Sequence, residues 1–100
     1  MNYYTQLIYL RPGCEAIFDE FESVAIPLIA QYNGSLLLRV RPEKSSFIEG
    51  SGDQPYEIHL ISFESKDDFI RFAQNPERAR LLHLKEQSVE KAVLIEGRLI

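Results

Sequence analysis

Apolar side chains recur along this chain in two rhythms, one of alternate residues and one of steps of three and four. The run from Tyr3 to Arg11, Tyr-Tyr-Thr-Gln-Leu-Ile-Tyr-Leu-Arg, is rich in aromatic and β-branched residues and predicts a first strand. Pro12-Gly13 stops it. Ile17, Phe18, Phe21, Val24, Ala25, Leu28, Ile29 and Tyr32 then form one sustained stripe at helical spacing, which predicts a helix to about Tyr32. Pro27 breaks the hydrogen-bond ladder and should kink it. The stripe passes through Pro27 in register, so one bent helix is expected rather than two. Asn33-Gly34 suits a left-handed terminator. Residues 35–41 predict a second strand, with Leu36, Leu38 and Val40 on one face and Leu37, Arg39 and Arg41 on the other. The first set is expected to face Phe21, Val24 and Leu28.

The alternating rhythm returns from Tyr56 to Phe63, without Gly or Pro, as a third strand. Tyr56, Ile58, Leu60 and Ser62 share one face; Glu57, His59, Ile61 and Phe63 share the other. Both faces carry large apolar groups, so both should be covered. Ser65 and Asp68 have the spacing of a capped helix start, and Asp67 and Asp68 suit its positive end. Phe69, Ile70, Phe72 and Ala73 supply its apolar side. Asn75-Pro76 ends that helix and can cap another. Leu81, Leu82 and Leu84 point in several directions around the second one. Phe47-Ile48-Glu49-Gly50 could add a short strand, and Val93-Leu94-Ile95 a fourth principal one. The order β-α-β-β-α-β predicts one α+β domain over residues 1–100 with a ferredoxin-like antiparallel sheet and both helices on one face.

Composition narrows the function. The net charge is −4 with no block of basic residues, which argues against nucleic acid as a partner. Cys14 is the only cysteine, so no intrachain disulfide forms and a reducing, cytoplasmic setting is compatible. No signal peptide or membrane span is evident. There is no glycine-rich phosphate loop, no His-Glu-x-x-His and no nucleophile elbow. No cofactor and no metal site are therefore expected.

Several segments resemble the dimeric α/β-barrel superfamily, and most closely a small branch known as a domain of unknown function. The resemblance rests on Val24-Ala-Ile-Pro-Leu-Ile-Ala-Gln-Tyr-Asn-Gly34, Leu37-Leu-Arg39, Ile48-Glu-Gly50, Phe63-Glu-Ser65, Asn75-Pro-Glu77 and Leu94-Ile-Glu-Gly97. It spans nearly the whole chain in short pieces. A more distant likeness is to antibiotic-biosynthesis-type monooxygenases, with Phe63 where their strand often ends in tryptophan and Phe72 where their helix often has histidine. The resemblance implies a homodimer in which two sheets meet face to face. Leu37, Ile61 and Phe63 would populate that open face.

Candidate chemistry centres on Arg39 and Glu49, which match positions typical of the uncharacterised branch. An arginine fork can hold a carboxylate or phosphate while a glutamate orients it; a structural salt bridge is the plainer reading. His59 is the second candidate, as an acid or base near neutral pH. It would line one cavity with Arg39 if both lie on the sheet face away from the helices. The plainer reading is a hydrogen-bonded histidine at an interface. Tyr9 and Tyr32 could donate hydrogen bonds to a ligand, or serve as core rings with a wet tip. These residues suggest a homodimer that binds a small anionic or aromatic molecule. The alternatives are a cofactor-free enzyme of monooxygenase or isomerase type, using His59, and an interaction module without a ligand.

Overall fold

A computed structural model describes residues 1–100. The chain forms β1 (Asn2–Leu10), α1 (Glu15–Leu28), β2 (Gly34–Val40), β3 (Glu57–Phe63), α2 (Lys66–Ala73), α3 (Pro76–Arg80), α4 (Leu82–Ser88) and β4 (Val89–Gly97). The sheet order is β2-β3-β1-β4 with every pair antiparallel. This is the expected ferredoxin-like arrangement. The second helical half is divided into three short helices. Ser65 caps α2 by accepting from the Asp68 amide at 3.1 Å, and Asn75 caps α3 with Pro76 at its first position.

Pro27 lies inside α1, and the chain tightens to a 3₁₀ turn over Ile29–Tyr32 just beyond it. The turn ends on Asn33, which takes the left-handed conformation with φ 58°. Gly34 is needed for a different reason. A Cβ there would lie 2.6 Å from Phe63 Cε1 and 2.7 Å from Ile29 Cγ2. The glycine lets β2 start directly against the core. No strand forms at residues 47–50; only a 3₁₀ turn, Lys44–Ser46, interrupts the long connection between β2 and β3. At the other end β4 is longer than the Val93–Ile95 core of the prediction, because β1 offers it partners from Tyr3 to Leu10.

The sheet faces differ from the expectation in a way that matters for function. Leu36 pairs with Ile61, but Leu38 pairs with Leu60, so the ladder shifts by one residue at Leu37. A bulge of this kind reverses every later side chain. Leu36 therefore faces the helices as expected, whereas Leu38 and Val40 face away and Arg39 turns inward, opposite His59. Ile61 and Phe63 also lie inward, 8% and 1% exposed, within the core of Tyr4, Leu28, Ile29 and Phe72. They do not belong to the open face. That face is built from two rows across the sheet, Leu38-Leu60-Thr5-Ile95 and Val40-Ile58-Leu7-Val93.

Candidate functional site

Glu57 begins β3 with a fully buried side chain. Such a carboxylate needs partners, and three converge on it. Arg39 Nε donates to Oε2 at 3.1 Å, Arg41 Nε donates to Oε1 at 2.7 Å, and His59 Nε2 donates to Oε2. Arg41 also reaches Asp19 on α1, at 2.6 Å, and lies over the Tyr56 ring. Burial alone would push the Glu57 carboxyl up. The hydrogen bonds from His59, Arg39 and Arg41 outweigh it and hold the group down at about 2. The bulge at Leu37 makes this possible, since it turns Arg39 to the same side as Glu57 and His59.

His59 is 2% exposed. Its ring also lines a cavity of about 40 Å³ between the sheet and α1, α3 and α4. Gln6, Glu22, Arg78 and Lys85 are the other polar residues of that lining, among apolar groups such as Ile8, Phe18, Ile61 and Phe72. Glu22 projects from α1, 8% exposed, and forms no ion pair. Burial, with the nearby charge of Glu57, raises its pKa, while His59, Arg39 and Lys85 pull the other way. Burial, with the charge of Arg78, lowers the pKa of Lys85, partly offset by Glu22. Burial likewise lowers that of Arg78 against the pull of Glu22.

The helix breaks that looked incidental in the sequence place Arg78. Asn75 Oδ1 accepts from the amides of Glu77 and Arg78 at 2.9 and 3.0 Å, and its Nδ2 donates to the Tyr32 hydroxyl at 2.8 Å. The Arg78 guanidinium then lies over the rings of Phe21 and Phe72, with Nη1 donating to the Ala73 carbonyl at 3.2 Å. Its Nε is buried without any hydrogen-bond partner.

Of the sequence candidates, His59 lies at the cavity. Arg39 lies behind it, through Glu57. Both share the sheet face that the helices cover, not the open face that had been expected. Glu49 is exposed in the β2–β3 connection and takes no part in the Arg39 ion pair, whose partner is Glu57. Tyr32 braces α3 through Asn75. Tyr9 lies apart, under the ammonium of Lys91 at 4.3 Å. Glu22, Glu57, Arg78 and Lys85 were missed. Glu57 was within reach of the alternation that places it beside His59. Glu22 was within reach too, since it sits four residues after Phe18 and three before Ala25, inside the inward stripe.

Glu22, Glu57 and His59 offer three potential metal ligands whose atoms lie within 4.8 Å of one another. Both oxygens of Glu57 are already bound by arginines and His59, and Arg78 and Lys85 add positive charge nearby. A divalent cation would have to displace those bonds. The arrangement is better suited to two other tasks. Glu57 fixes the imidazole of His59 for proton transfer, and the basic groups favour an anion.

The class of protein defined by this fold is the ferredoxin-like α+β domain found among uncharacterised small proteins. No family model and no curated protein sequence matches the chain. Solved structures do. A protein of unknown function from Rhodopseudomonas palustris matches with a TM-score of 0.86 at 14% identity, covering 99% of this chain and 82% of its own. A protein from Bacteroides fragilis, described as dimeric, of unknown function and ferredoxin-like, matches with 0.70 at 15% identity, covering 98% and 95%. An uncharacterised NIPSNAP domain protein from Burkholderia xenovorans matches with 0.73 at 11% identity, covering 100% and 95%. These likenesses establish the fold; activity has to be argued from the site.

Proposed function

We propose that this chain is a homodimeric small-molecule-binding protein whose site is the cavity between the sheet and the helices, with His59 as its acid–base group. The observation that carries the reading is the relay Arg39/Arg41–Glu57–His59, whose Glu57 and His59 are buried and which ends at a cavity. A histidine needed only for packing does not require an ionised carboxylate held by two arginines behind it. Apolar walls with a few convergent polar groups and perturbed titratable residues are the usual marks of a binding site. A fragment screen by ¹H–¹⁵N NMR tests it. Hits should shift the amides of Ala25, His59 and Ile61, and His59→Leu should abolish or weaken them at least tenfold. Hits that map elsewhere, or survive that change unaltered, overturn the cavity as the site.

The dimer is supported by the open face and by surface area. The isolated chain exposes 6578 Å², whereas a compact monomer of 11.6 kDa is expected to expose about 5,800 Å². Leu38 is 48% exposed and Ile95 53%, on a continuous apolar sheet face of the kind that marks an interaction surface. A similar structure, that from Bacteroides fragilis, is described as dimeric. No helix here is long and apolar enough to cross a membrane, and a cytoplasmic setting accords with the lone free Cys14.

A cofactor-free enzyme is the second reading. It is favoured by Glu22 facing the His59–Glu57 pair. A carboxyl whose burial favours its protonated form, set beside an oriented imidazole, supplies an acid and a base within one cavity.

A further inference from the structure

We propose that the ligand of this cavity presents a small carboxylate, and that Arg78 and Lys85 are the residues that hold it. The inference rests on the cavity being the binding site and adds what binds there. Its starting point is charge. Glu22, Arg78 and Lys85 all line one small space, yet none forms an ion pair with another or with any other residue. Two cations therefore face one carboxylate. Both side chains are partly buried, which costs each cation part of its hydration, and a charge so placed without an ion-pair partner is unfavourable. Glu22 is one carboxylate beside two cations, so the cavity can take a second negative charge that the protein itself does not supply.

The geometry narrows the anion. Arg78 Nη1 is committed to the Ala73 carbonyl, but the Nε–H is buried and free. The guanidinium lies over the Phe21 and Phe72 rings, which hold it as a fixed donor rather than a mobile charge. Lys85, on α4, adds a second, more pliable donor. The cavity, at about 40 Å³, has room for roughly three waters. A carboxylate group has three heavy atoms and suits an arginine donor paired with an ammonium. Glu22 lines the same cavity and is a like charge to the anion. It admits the anion best when protonated, the form its burial already favours.

Sodium acetate and acetamide test this, because the two share a shape and differ in charge. In an NMR titration at constant ionic strength, acetate should produce saturable shifts at Ala25, His59, Ile61 and Val89, and acetamide should not. Arg78→Met and Lys85→Met should each weaken acetate at least tenfold. Glu22→Gln should tighten it and flatten its dependence on pH. Removing a partly buried cation that has no ion-pair partner is not expected to unfold the chain, and Lys85→Gln, nearly as long and uncharged, provides a second variant. Equal binding of acetate and acetamide overturns the carboxylate while leaving the cavity as a binding site. Saturable acetate binding that survives both cation substitutions overturns the assignment of the two anchors. Absence of saturable acetate binding overturns the proposal, and absence of any fragment hit in the cavity overturns the binding site with it.

Discussion

Glu57 shows how far one side chain can organise its neighbours. Its carboxyl is held at about 2, from an ordinary value of 4.5. A shift of that size is worth on the order of 3 kcal/mol in favour of the charged form. The sign follows from the depressed folded-state pKa. The contribution is fully present above about pH 4.5 and is lost progressively as pH falls toward 2. Glu57→Gln should thus destabilise the protein by about 3 kcal/mol near neutral pH, since it leaves Arg39, Arg41 and His59 without their common acceptor. Urea titrations of both proteins from pH 7 down to pH 3 check it. The gap between them should narrow below pH 4.5, and a gap that stays constant over that range would show that Glu57 is not the titrating group.

At the scale of the element, the strands and helices were legible because their patterns are local. The stripe from Ile17 to Tyr32, the alternation from Tyr56 to Phe63 and the caps Ser65 and Asn75 each state their own structure. The faces of β2 were not legible, because a bulge is decided by the partner strand. Leu36, Leu37 and Leu38 are three consecutive leucines, and nothing in their chemistry says which is the extra residue. With that parity misread, Arg39 and His59 were matched to each other but placed on the wrong side of the sheet. The polar residues of β3 misled in the same direction, since Glu57 and His59 are stable inside only because Arg39 and Arg41 reach the carboxylate from β2 and its end. Arg78 and Lys85 were illegible for another reason, as a basic residue on a short helix looks solvated until the helix is docked. Deleting Leu37 should restore a regular ladder with Leu38 still opposite Leu60 and Arg39 still opposite His59, so it should cost well below the loss of about 3 kcal/mol expected of Glu57→Gln. Combined with Glu57→Gln, the deletion should add nearly its own cost, because it leaves the Glu57 network in place. Chemical denaturation of the two single variants and the double variant decides it, and a deletion as costly as Glu57→Gln and strongly non-additive with it would mean that Leu37 is not the extra residue.

For the whole molecule, the correction to the sheet faces strengthens the case for a dimer and moves the candidate site away from the proposed interface. The face once assigned Ile61, Phe63 and His59 would have been a wet seam with polar pockets. The face the structure exposes is smoother, with Leu38, Val40, Ile58, Leu60, Val93 and Ile95 in two rows and no charge among them. Two copies related by a two-fold axis can cover it with a single interface, which for an obligate dimer should bury roughly 2,000 Å² or more. Leu60 lies in the row that crosses both central strands, opposite Thr5 on one side and Leu38 on the other. Leu60→Glu would place two like charges close to the axis in an apolar seam, at a cost that a dimer of this size does not withstand. Light scattering at low micromolar concentration should give twice the 11.6 kDa chain mass for the natural sequence and the single-chain mass for the variant. The melting temperature of the natural protein should also rise with its concentration, as association requires, and that of the variant should not. A folded natural protein with the mass of one chain would refute the dimer. It would leave the cavity standing, since His59 and Glu57 open to the opposite side of the sheet.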